Sequence, residues 1–454
     1  MKFLDRMSRK ALPALLILLI VGLGASDGGW VKQVKRASRV SRHPSRSPRI
    51  ERPVPRRRPR AAADRVLLRF RDDVPDAYAE GLLQSYGFTA VRRIPRIDVY
   101  SVRTSPGVTV SETLAMLRRN PDIEAARPDY RARLADTPND TYFVSYQYNL
   151  RNRGGILDIS DDIQPQTTAN ADIKAVPAWD ETHGNPEVVI AIIDSGVDMT
   201  HSELSGKVVS SGRDFANDDD DATDDHWHGT HVAGIAAADT NNGEGIAGVA
   251  WDCKILPIKA TDAQGDGYYS WIIDGIIWAT DQGADVINLS LGGDVADTFL
   301  EEACQYAFDR GVVIAAAAGN EASFVLYPAA YDSYVLAVAA TDYNDEPASF
   351  SNFGPEVDVA APGVYILAPA PQWYVGDGYL PYLFASGTSE AVPHVAGMAA
   401  LIKSLKPELE ASDIMNIIRY TADDVNRSTL PGRDDHVGYG RINMERALVP
   451  TILK

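Results

Sequence analysis

Three residues of different types lie far apart in the chain, and together they have the chemistry of an activated nucleophile. Asp194 ends an apolar run, His228 opens a helical pattern, and Ser389 lies at the start of another helical pattern. A serine hydroxyl becomes a good nucleophile only when a base takes its proton, and imidazole can do this near neutral pH. A carboxylate behind the imidazole fixes its tautomer and stabilises the imidazolium.

Each of the three residues alone has an ordinary structural explanation. An aspartate after a strand caps a turn, a histidine at a helix start is a satisfied polar group, and a serine there is a favoured N-cap. Their combination is more informative, because Asp, His, Ser is one of the known chain orders of a serine-hydrolase triad. A helix N-terminus at the serine would also place backbone N–H groups where an oxyanion forms.

The segments that would position these residues alternate between apolar runs and helical patterns. Continuous apolar runs predict parallel strands covered on both faces; they occupy residues 188–193, 255–260, 286–289, 312–318 and 335–340. Helical patterns lie between them at residues 229–238, 270–282 and 297–309. This alternation predicts an α/β fold, a doubly wound and mostly parallel sheet with helices on both faces, over residues 135–454. In such folds the functional loops leave the carboxyl ends of the strands.

A smaller domain is predicted before this sheet, over residues 66–134. Strand patterns at 66–70, 97–102 and 123–127 alternate with helical patterns at 77–86 and 110–119, the second with Ser111 as its cap. The order predicts a small α+β domain of ferredoxin-like, split βαβ topology. Polar residues 131–140 form the boundary.

The N-terminus has the pattern of an export signal. Basic residues up to Lys10 precede an apolar run at 11–25, which small residues end at 24–26. We expect a signal peptide over 1–26, a secreted protein (extracellular or in the cell envelope) and no stable membrane span, since a span needs about 20 apolar residues. An uncleaved anchor is the alternative. Residues 27–65, rich in Arg and Pro, predict a disordered linker, either a solvated spacer or a contact to an anionic envelope or nucleic acid.

The composition excludes several classes of protein. Of 454 residues, 45% are hydrophobic and 23% charged, as in folded domains and unlike collagen or wholly disordered chains. The net charge of −18 is uneven: residues 1–65 hold 17 basic and 4 acidic residues, and residues 134–454 hold 16 and 49. Phosphate would repel this acidic body, so we expect no nucleic acid as its partner. Cys253 and Cys304 are too few for a disulfide scaffold, and they either bridge or stay as two buried thiols.

Three long motifs resemble the signatures of the subtilisin-like serine proteases, or subtilases, of the thermitase-like kind. They read VIAIIDSGV at 189–197, HGTHVAG at 228–234 and GTSEAVPHVAG at 387–397. The resemblance extends over about residues 137–448, and residues 66–133 resemble the family's inhibitory propeptide. It implies a triad of Asp194, His228 and Ser389 in a secreted serine endopeptidase that hydrolyses peptide bonds of proteins through an acyl-enzyme.

The resemblance also implies how this enzyme is made. We expect a monomeric zymogen whose own propeptide occupies the cleft in cis and is cut by the enzyme near residues 133–135. Its partners would be protein or peptide substrates. The alternative is a catalytically silent subtilase fold that binds peptides or calcium.

Further site residues follow from the same resemblance. Asn320, in the motif AAGN at 317–320, matches the residue that donates to the oxyanion. One substrate-pairing edge matches Gly265, Asp266 and Gly267, and the other matches Ser290, Leu291 and Gly292. Leu326 matches the floor of an S1 pocket that would be apolar. An extended peptide would pair between the two edges as an added strand.

Calcium is the expected cofactor, because a dense acidic loop lies at residues 214–225 and Ca²⁺ prefers clustered oxygens. A solvated acidic loop is the alternative. The resemblance assigns a first site to Asp214, Asp219 and Asp221. It assigns a second to the side chains of Asp140, Glu203 and Asn242 with the carbonyls of Asp239, Glu244 and Ile246. Aspartate is more usual in the family where Glu203 stands.

One residue departs from the family pattern. Glu390 follows Ser389, where the family commonly has Met or another uncharged residue. An ionised carboxylate there would oppose the oxyanion and raise the pKa of His228, whereas a protonated one would do less harm. We therefore expect Glu390 to shift the pH–rate profile. The same residue is the reason for keeping the catalytically silent alternative.

Overall fold

The protein is described here by a computed structural model, which covers residues 20–21, 61–88, 91–130, 137–160 and 162–449. It divides into two compact units, residues 28–134 and residues 1–27 together with 135–454. The predicted signal peptide apart from residues 20–21, most of the linker and the cut site at 133–135 lie outside the described residues. The short strand β1 (Ile20–Val21) belongs to the larger unit.

The smaller unit has the predicted α+β order. Its elements are β2 (Ala61–Phe70), α1 (Asp76–Ser85), β3 (Val91–Ile94), β4 (Val99–Arg103), α2 (Val110–Leu117) and β5 (Ile123–Tyr130). The strands form an antiparallel sheet in the order β3-β4-β2-β5. This is the ferredoxin-like arrangement that we expected. The predicted cap Ser111 is wrong, because Thr109 begins the helix and forms a capping box with Glu112.

The larger unit contains the remaining elements. Its helices are α3 (Phe143–Tyr146), α4 (Ala175–Trp179), α5 (His228–Ala237), α6 (Tyr269–Asp281), α7 (Thr298–Phe308), α8 (Gln372–Val375), α9 (Thr388–Leu405), α10 (Ala411–Thr421) and α11 (Met444–Ala447). Its strands after β1 are β6 (Gly155–Ile156), β7 (Gln166–Thr167), β8 (Val189–Asp194), β9 (Arg213–Asp214), β10 (Lys254–Lys259), β11 (Val286–Leu289), β12 (Val313–Ala317), β13 (Val335–Thr341), β14 (Val357–Pro362), β15 (Ile366–Pro369) and β16 (Tyr382–Ser386). The predicted strands and helices of this region are present, with ends shifted by one or two residues.

Seven of these strands form one parallel sheet in the order β14-β13-β12-β11-β8-β10-β9. The predicted doubly wound α/β fold is therefore confirmed. After β8 the chain first adds β10 on one side and then crosses to add β11 on the other. The strand order reverses at this point, where open α/β sheets bind their ligands. A separate small sheet pairs β15 with β16 and β16 with β1.

The sheet is covered on both faces by helices. One core cluster joins the sheet to α5, α9 and α10, and the other joins it to α6 and α7. Helix α9 approaches its neighbours closely, since a Cβ on Gly397 would lie 2.6 Å from Val249 Cβ. Both Cys253 and Cys304 are free and buried, as in the two-thiol alternative. Within the described residues, no helix is long and apolar enough to cross a membrane.

Candidate active site

Asp194 and His228 meet at the point where the strand order reverses. Asp194 is the last residue of β8, is 2% exposed, and accepts hydrogen bonds from Ser195 N at 2.8 Å and His228 Nδ1 at 2.7 Å. His228 is the first residue of α5, and its Nε2 is left for another partner. Burial lowers the pKa of His228, but the charge and hydrogen bond of Asp194 outweigh burial and raise it to about 9.

The loop that leads into His228 is held by a second carboxylate that sequence reasoning missed. Asp224, 2% exposed, accepts hydrogen bonds from His226 N, Trp227 N and Ser195 Oγ at 2.9 Å each, and from Thr230 N at 3.0 Å. It also accepts from Thr230 Oγ1. Burial is the main reason why its pKa is raised, although these hydrogen bonds lower it. Asp224 lies in the acidic loop at residues 214–225, for which the sequence predicted a calcium site.

Ser389 lies in the first turn of α9 and faces the end of β11. Its Oγ donates to the Ser290 carbonyl at 3.1 Å, and Ser290 Oγ donates back to the Ser389 carbonyl at 2.8 Å. Among the described residues no hydrogen bond joins Ser389 Oγ to His228. The structure therefore brings the three sequence-predicted residues to one edge of the sheet, with the serine hydroxyl turned toward Ser290.

Asn320, three residues after β12, lies beside the start of α9. Its Oδ1 accepts from Thr388 N at 2.8 Å and from Thr388 Oγ1 at 3.0 Å, so the amide is held from its oxygen side. Its Nδ2 remains a donor, and a Cβ on Gly387 would lie 3.4 Å from it. Near the N-terminus of α9, this donor and the unbonded backbone N–H of Ser389 could both reach an oxyanion.

The predicted substrate edges lie after two strands that flank β8. Gly265, Asp266 and Gly267 are exposed in the loop after β10, where Asp266 is held by Asp262. Ser290, Leu291 and Gly292 follow β11. Leu326 packs between this second edge and Asn320, because Cβ atoms on Gly292 and Gly319 would lie 3.2 Å and 2.8 Å from its side chain. Its role as the floor of an apolar S1 pocket stays a prediction from the resemblance.

Comparison with known proteins agrees with this geometry. The model of the subtilase family matches residues 185–440, and that of the fervidolysin N-terminal prodomain matches residues 57–129. The chain is 42% identical over 384 residues to the thermophilic serine proteinase of Bacillus sp. (strain AK1), with 84% of this chain and 86% of that protein covered. This chain belongs to the subtilase family.

Further relatives support the same identification of this subtilase. Thermitase of Thermoactinomyces vulgaris is 42% identical, over 69% of this chain and 99% of thermitase. A solved protease of Pseudoalteromonas arctica PAMC 21717 superposes with a TM-score of 0.59 at 32% identity, covering 69% of this chain and 99% of that one. Fervidolysin of Fervidobacterium pennivorans, a keratinolytic enzyme related to subtilisin, gives a TM-score of 0.56 at 30% identity, covering 86% and 61%. The predicted family and serine endopeptidase class are confirmed.

The residues of the second predicted calcium site are brought together in this subtilase. Asp140 and Glu203 are 4% and 0% exposed, and burial raises the pKa of both, that of Glu203 to about 7, with the charge of Asp140 adding to it. Glu203 Oε1 accepts from Tyr382 OH at 2.8 Å and Ile246 N at 3.2 Å. Glu203 Oε2 has only a 3.4 Å contact from Asn242 Nδ2. Asp140 instead accepts from Asn241 N at 3.0 and 2.9 Å, so the poorly compensated oxygen is Glu203 Oε2. A buried carboxylate oxygen of this kind fits a Ca²⁺ ion.

The residues of the first predicted calcium site are not brought together in the same way. Asp214, 2% exposed, accepts from Ala216 N and Asn217 N, and Asp219 and Asp221 each accept from the backbone two residues on. Within the described residues, no group of three acidic, His or Cys side chains converges on a metal position here, nor at the second predicted site, whose other predicted ligands are an amide and backbone carbonyls. The first site therefore stays a prediction from the resemblance alone.

The Asp224 hydrogen bonds generate a test of stability. Asp224→Ala leaves several buried donors without acceptors, at about 1–3 kcal/mol each. We expect it to lower the free energy of unfolding by about 3 kcal/mol or more, measured by urea denaturation of the full chain carrying Ser389→Ala, so that the protein cannot digest itself. Asp377→Ala, at an exposed position, is the control and should change stability by less than about 0.5 kcal/mol. Equal effects of the two substitutions would contradict the role given to Asp224.

Proposed function

We propose that this subtilase is a secreted serine endopeptidase with Asp194, His228 and Ser389 as its triad. The observation that carries the proposal is the 2.7 Å hydrogen bond from His228 Nδ1 to a buried carboxylate, beside a helix that begins at Thr388. This bond leaves Nε2 as the nitrogen that takes and returns a proton. Protein substrates would enter between the two exposed edges described above.

The proposed reaction starts when Ser389 Oγ turns from the Ser290 carbonyl to His228 Nε2. The Oγ–H proton passes to Nε2 as Oγ bonds to the substrate carbonyl carbon, and the carbonyl electrons move onto its oxygen. When the intermediate collapses, the C–N bond breaks and the leaving amine takes the proton from His228. Water then repeats the two steps on the acyl-enzyme, with His228 again as base and acid.

Two donors would stabilise the oxygen that becomes negative. Asn320 Nδ2 and the backbone N–H of Ser389 both lie at the start of α9, whose N-terminal end also favours negative charge. The Thr388 contacts hold the Asn320 amide before substrate arrives, so no reorganisation is needed during the reaction.

The first test uses a fluorophosphonate that labels activated serines. We expect the wild-type enzyme to be labelled and to cleave casein, and Ser389→Ala to lose both. Asn320→Ala should keep the nucleophile but lower kcat by about 10²–10³, the loss measured for the equivalent donor in subtilisin. A wild-type protein that is folded but is not labelled would favour the catalytically silent alternative.

We also propose export as a zymogen. The fervidolysin-type prodomain match covers 57–129, and two other relatives are named an extracellular serine protease (Natrialba magadii) and a cell wall-associated protease (Bacillus subtilis strain 168). The basic and apolar pattern of residues 1–26 supports a signal peptide. The propeptide would block the cleft in cis until cut.

The cut site gives the second test. N-terminal sequencing of the secreted enzyme should find a new terminus near residues 133–135, and Ser389→Ala should remain uncut. A mature terminus far from residue 135 would contradict the site, and an equally processed Ser389→Ala would show that another protease makes the cut.

Calcium binding completes the proposal. Asp140, Glu203 and Asn242, with carbonyls of Asp239, Glu244 and Ile246, would hold the ion, which would neutralise two buried carboxylates. The ion would act on stability, since a ligand that binds only the folded protein stabilises it.

The third test is chelation of the Ser389→Ala protein. We expect EDTA to lower Tm by about 5 °C or more, and added Ca²⁺ to restore it. Asp140→Asn should melt lower and lose most of this response, whereas Asp377→Asn, at an exposed position, should keep it. An unchanged Tm after chelation would refute calcium stabilisation.

A further inference from the structure

Glu390, the residue after the proposed nucleophile, is a buried acid that has no Lys or Arg partner among the described residues. It is 2% exposed, and its carboxyl lies near the start of α9, where a Cβ on Gly387 would be 2.8 Å from Oε2. Glu390 and Asn320 thus both lie beside Gly387. A negative charge at this position would oppose the oxyanion that Asn320 is placed to stabilise.

The neighbour of Glu390 on α5 is His231, which is also fully buried. Glu390 Oε1 lies 3.5 Å from His231 Nδ1, and His231 Nε2 lies 3.3 Å from the Leu383 carbonyl oxygen. A carbonyl only accepts hydrogen bonds, so Nε2 must carry the ring proton. In a neutral imidazole, Nδ1 is then a lone-pair acceptor, and it has no hydrogen-bond partner in the described residues.

A carboxylate facing this lone pair would be repelled, whereas a carboxylic acid could donate its proton to it. An ion pair with a protonated His231 is the other possibility, but it would put charges on two side chains that are both buried. Burial lowers the pKa of His231 to about 3 and raises that of Glu390 to about 7. The helix N-terminus favours an anion at Glu390, and burial outweighs this effect. The pair is therefore neutral up to about neutral pH.

We propose that Glu390 is a positioning residue that works as a neutral acid, donating to His231 Nδ1 and thereby tying α9 to α5 behind the reacting groups. The second part of the proposal rests on the proposed function: when Glu390 ionises, its negative charge holds His228 in the protonated form and delays its action as a base.

The charged groups around His228 show how ionisation of Glu390 would change the pKa of His228. Asp194, Glu390 and Asp224 each raise the pKa of His228, and His228 in turn lowers the pKa of both His226 and His231. Asp194 and Asp224 are anchored by N–H donors. For Glu390, burial raises the pKa to about 7 and outweighs the charge of His228 and its own backbone N–H, which both favour the anion, so its charge arises only when the carboxyl loses a proton. Removing this carboxyl should lower the pKa of His228 and extend activity to lower pH.

The first experiment detects the proton directly and needs no activity. Infrared spectra of the full chain carrying Ser389→Ala, with and without Glu390→Gln, are subtracted at pH 6. We expect a protonated carboxylic acid band in the Glu390 protein that is absent from the Gln protein and fades above neutral pH. A difference spectrum showing only a carboxylate at pH 6 would overturn the neutral acid.

The second experiment measures kcat/KM against pH for wild type, Glu390→Gln and Glu390→Met. The acid limb should move down by about one pH unit in both variants, which makes kcat/KM about tenfold higher on that limb relative to each plateau. Glu390→Gln can still donate to His231, so it should keep the wild-type Tm, whereas Glu390→Met should melt lower. A merely structural residue would change Tm and leave the limb in place, which would refute the second part.

The two proposals fail in different ways. Absence of fluorophosphonate labelling in a folded wild type overturns the proposed function, and the infrared result then still decides the charge of Glu390. Normal labelling with an unmoved acid limb overturns only the role of Glu390 toward His228.

Discussion

The site depends on one buried charge, the carboxylate of Asp194. A carboxylate that is 2% exposed is strongly unfavourable unless donors surround it. Ser195 N and His228 Nδ1 supply two. The same requirement that keeps Asp194 in the fold fixes the tautomer and direction of His228, so folding stability and the reactivity of the imidazole arise from one hydrogen bond. Asp194 lies at the end of β8, where the chain connections to the two flanking strands, β10 and β11, leave the sheet in opposite directions.

Two helices bring the remaining groups to this charge. Helices α5 and α9 begin at His228 and Thr388, so their first turns lie at the site. Side chains of the site accept from these turns: Gly229 N donates to Ser195 Oγ, Thr230 N to Asp224 and Thr388 N to Asn320 Oδ1. The close approach of these helices to their surroundings requires glycine. A Cβ added to Gly229 would lie 2.1 Å from the Gly196 carbonyl oxygen, and a Cβ added to Gly397 would meet Val249. These glycines belong to the motifs that identified the family, which explains why the motifs extend beyond the reacting residues.

The sequence predicted what depends on periodicity and local chemistry, and it missed what depends on contacts between distant segments. Continuous apolar runs located the parallel strands and a strand end located Asp194, whereas Ser290 and Asn320 came from the family resemblance. No local pattern shows that Asp224 accepts hydrogen bonds from four surrounding residues, or that His231 on α5 faces Glu390 on α9. The acidic loop shows the same limit. The sequence shows that carboxylates are clustered there, but it does not show that nearby backbone N–H groups donate to the individual carboxylates.

The contrast between Asp194 and Glu390 shows how two buried acids at one site acquire opposite roles. Both are 2% exposed. Asp194 faces an N–H of His228, so its negative charge is compensated and directs the imidazole. Glu390 faces the lone pair of His231, to which a carboxylic acid can donate and which repels a carboxylate. Burial raises the pKa of Glu390 to about 7 and outweighs the charge of His228 and its own backbone N–H, which both favour the anion. The tautomer of the neighbouring histidine therefore separates the two acids, because one faces an N–H and the other a lone pair. The tautomer of His231 is in turn set by the Leu383 carbonyl on β16, the strand that leads into α9 and Ser389, so the backbone next to Ser389 also determines the electrostatics beside it.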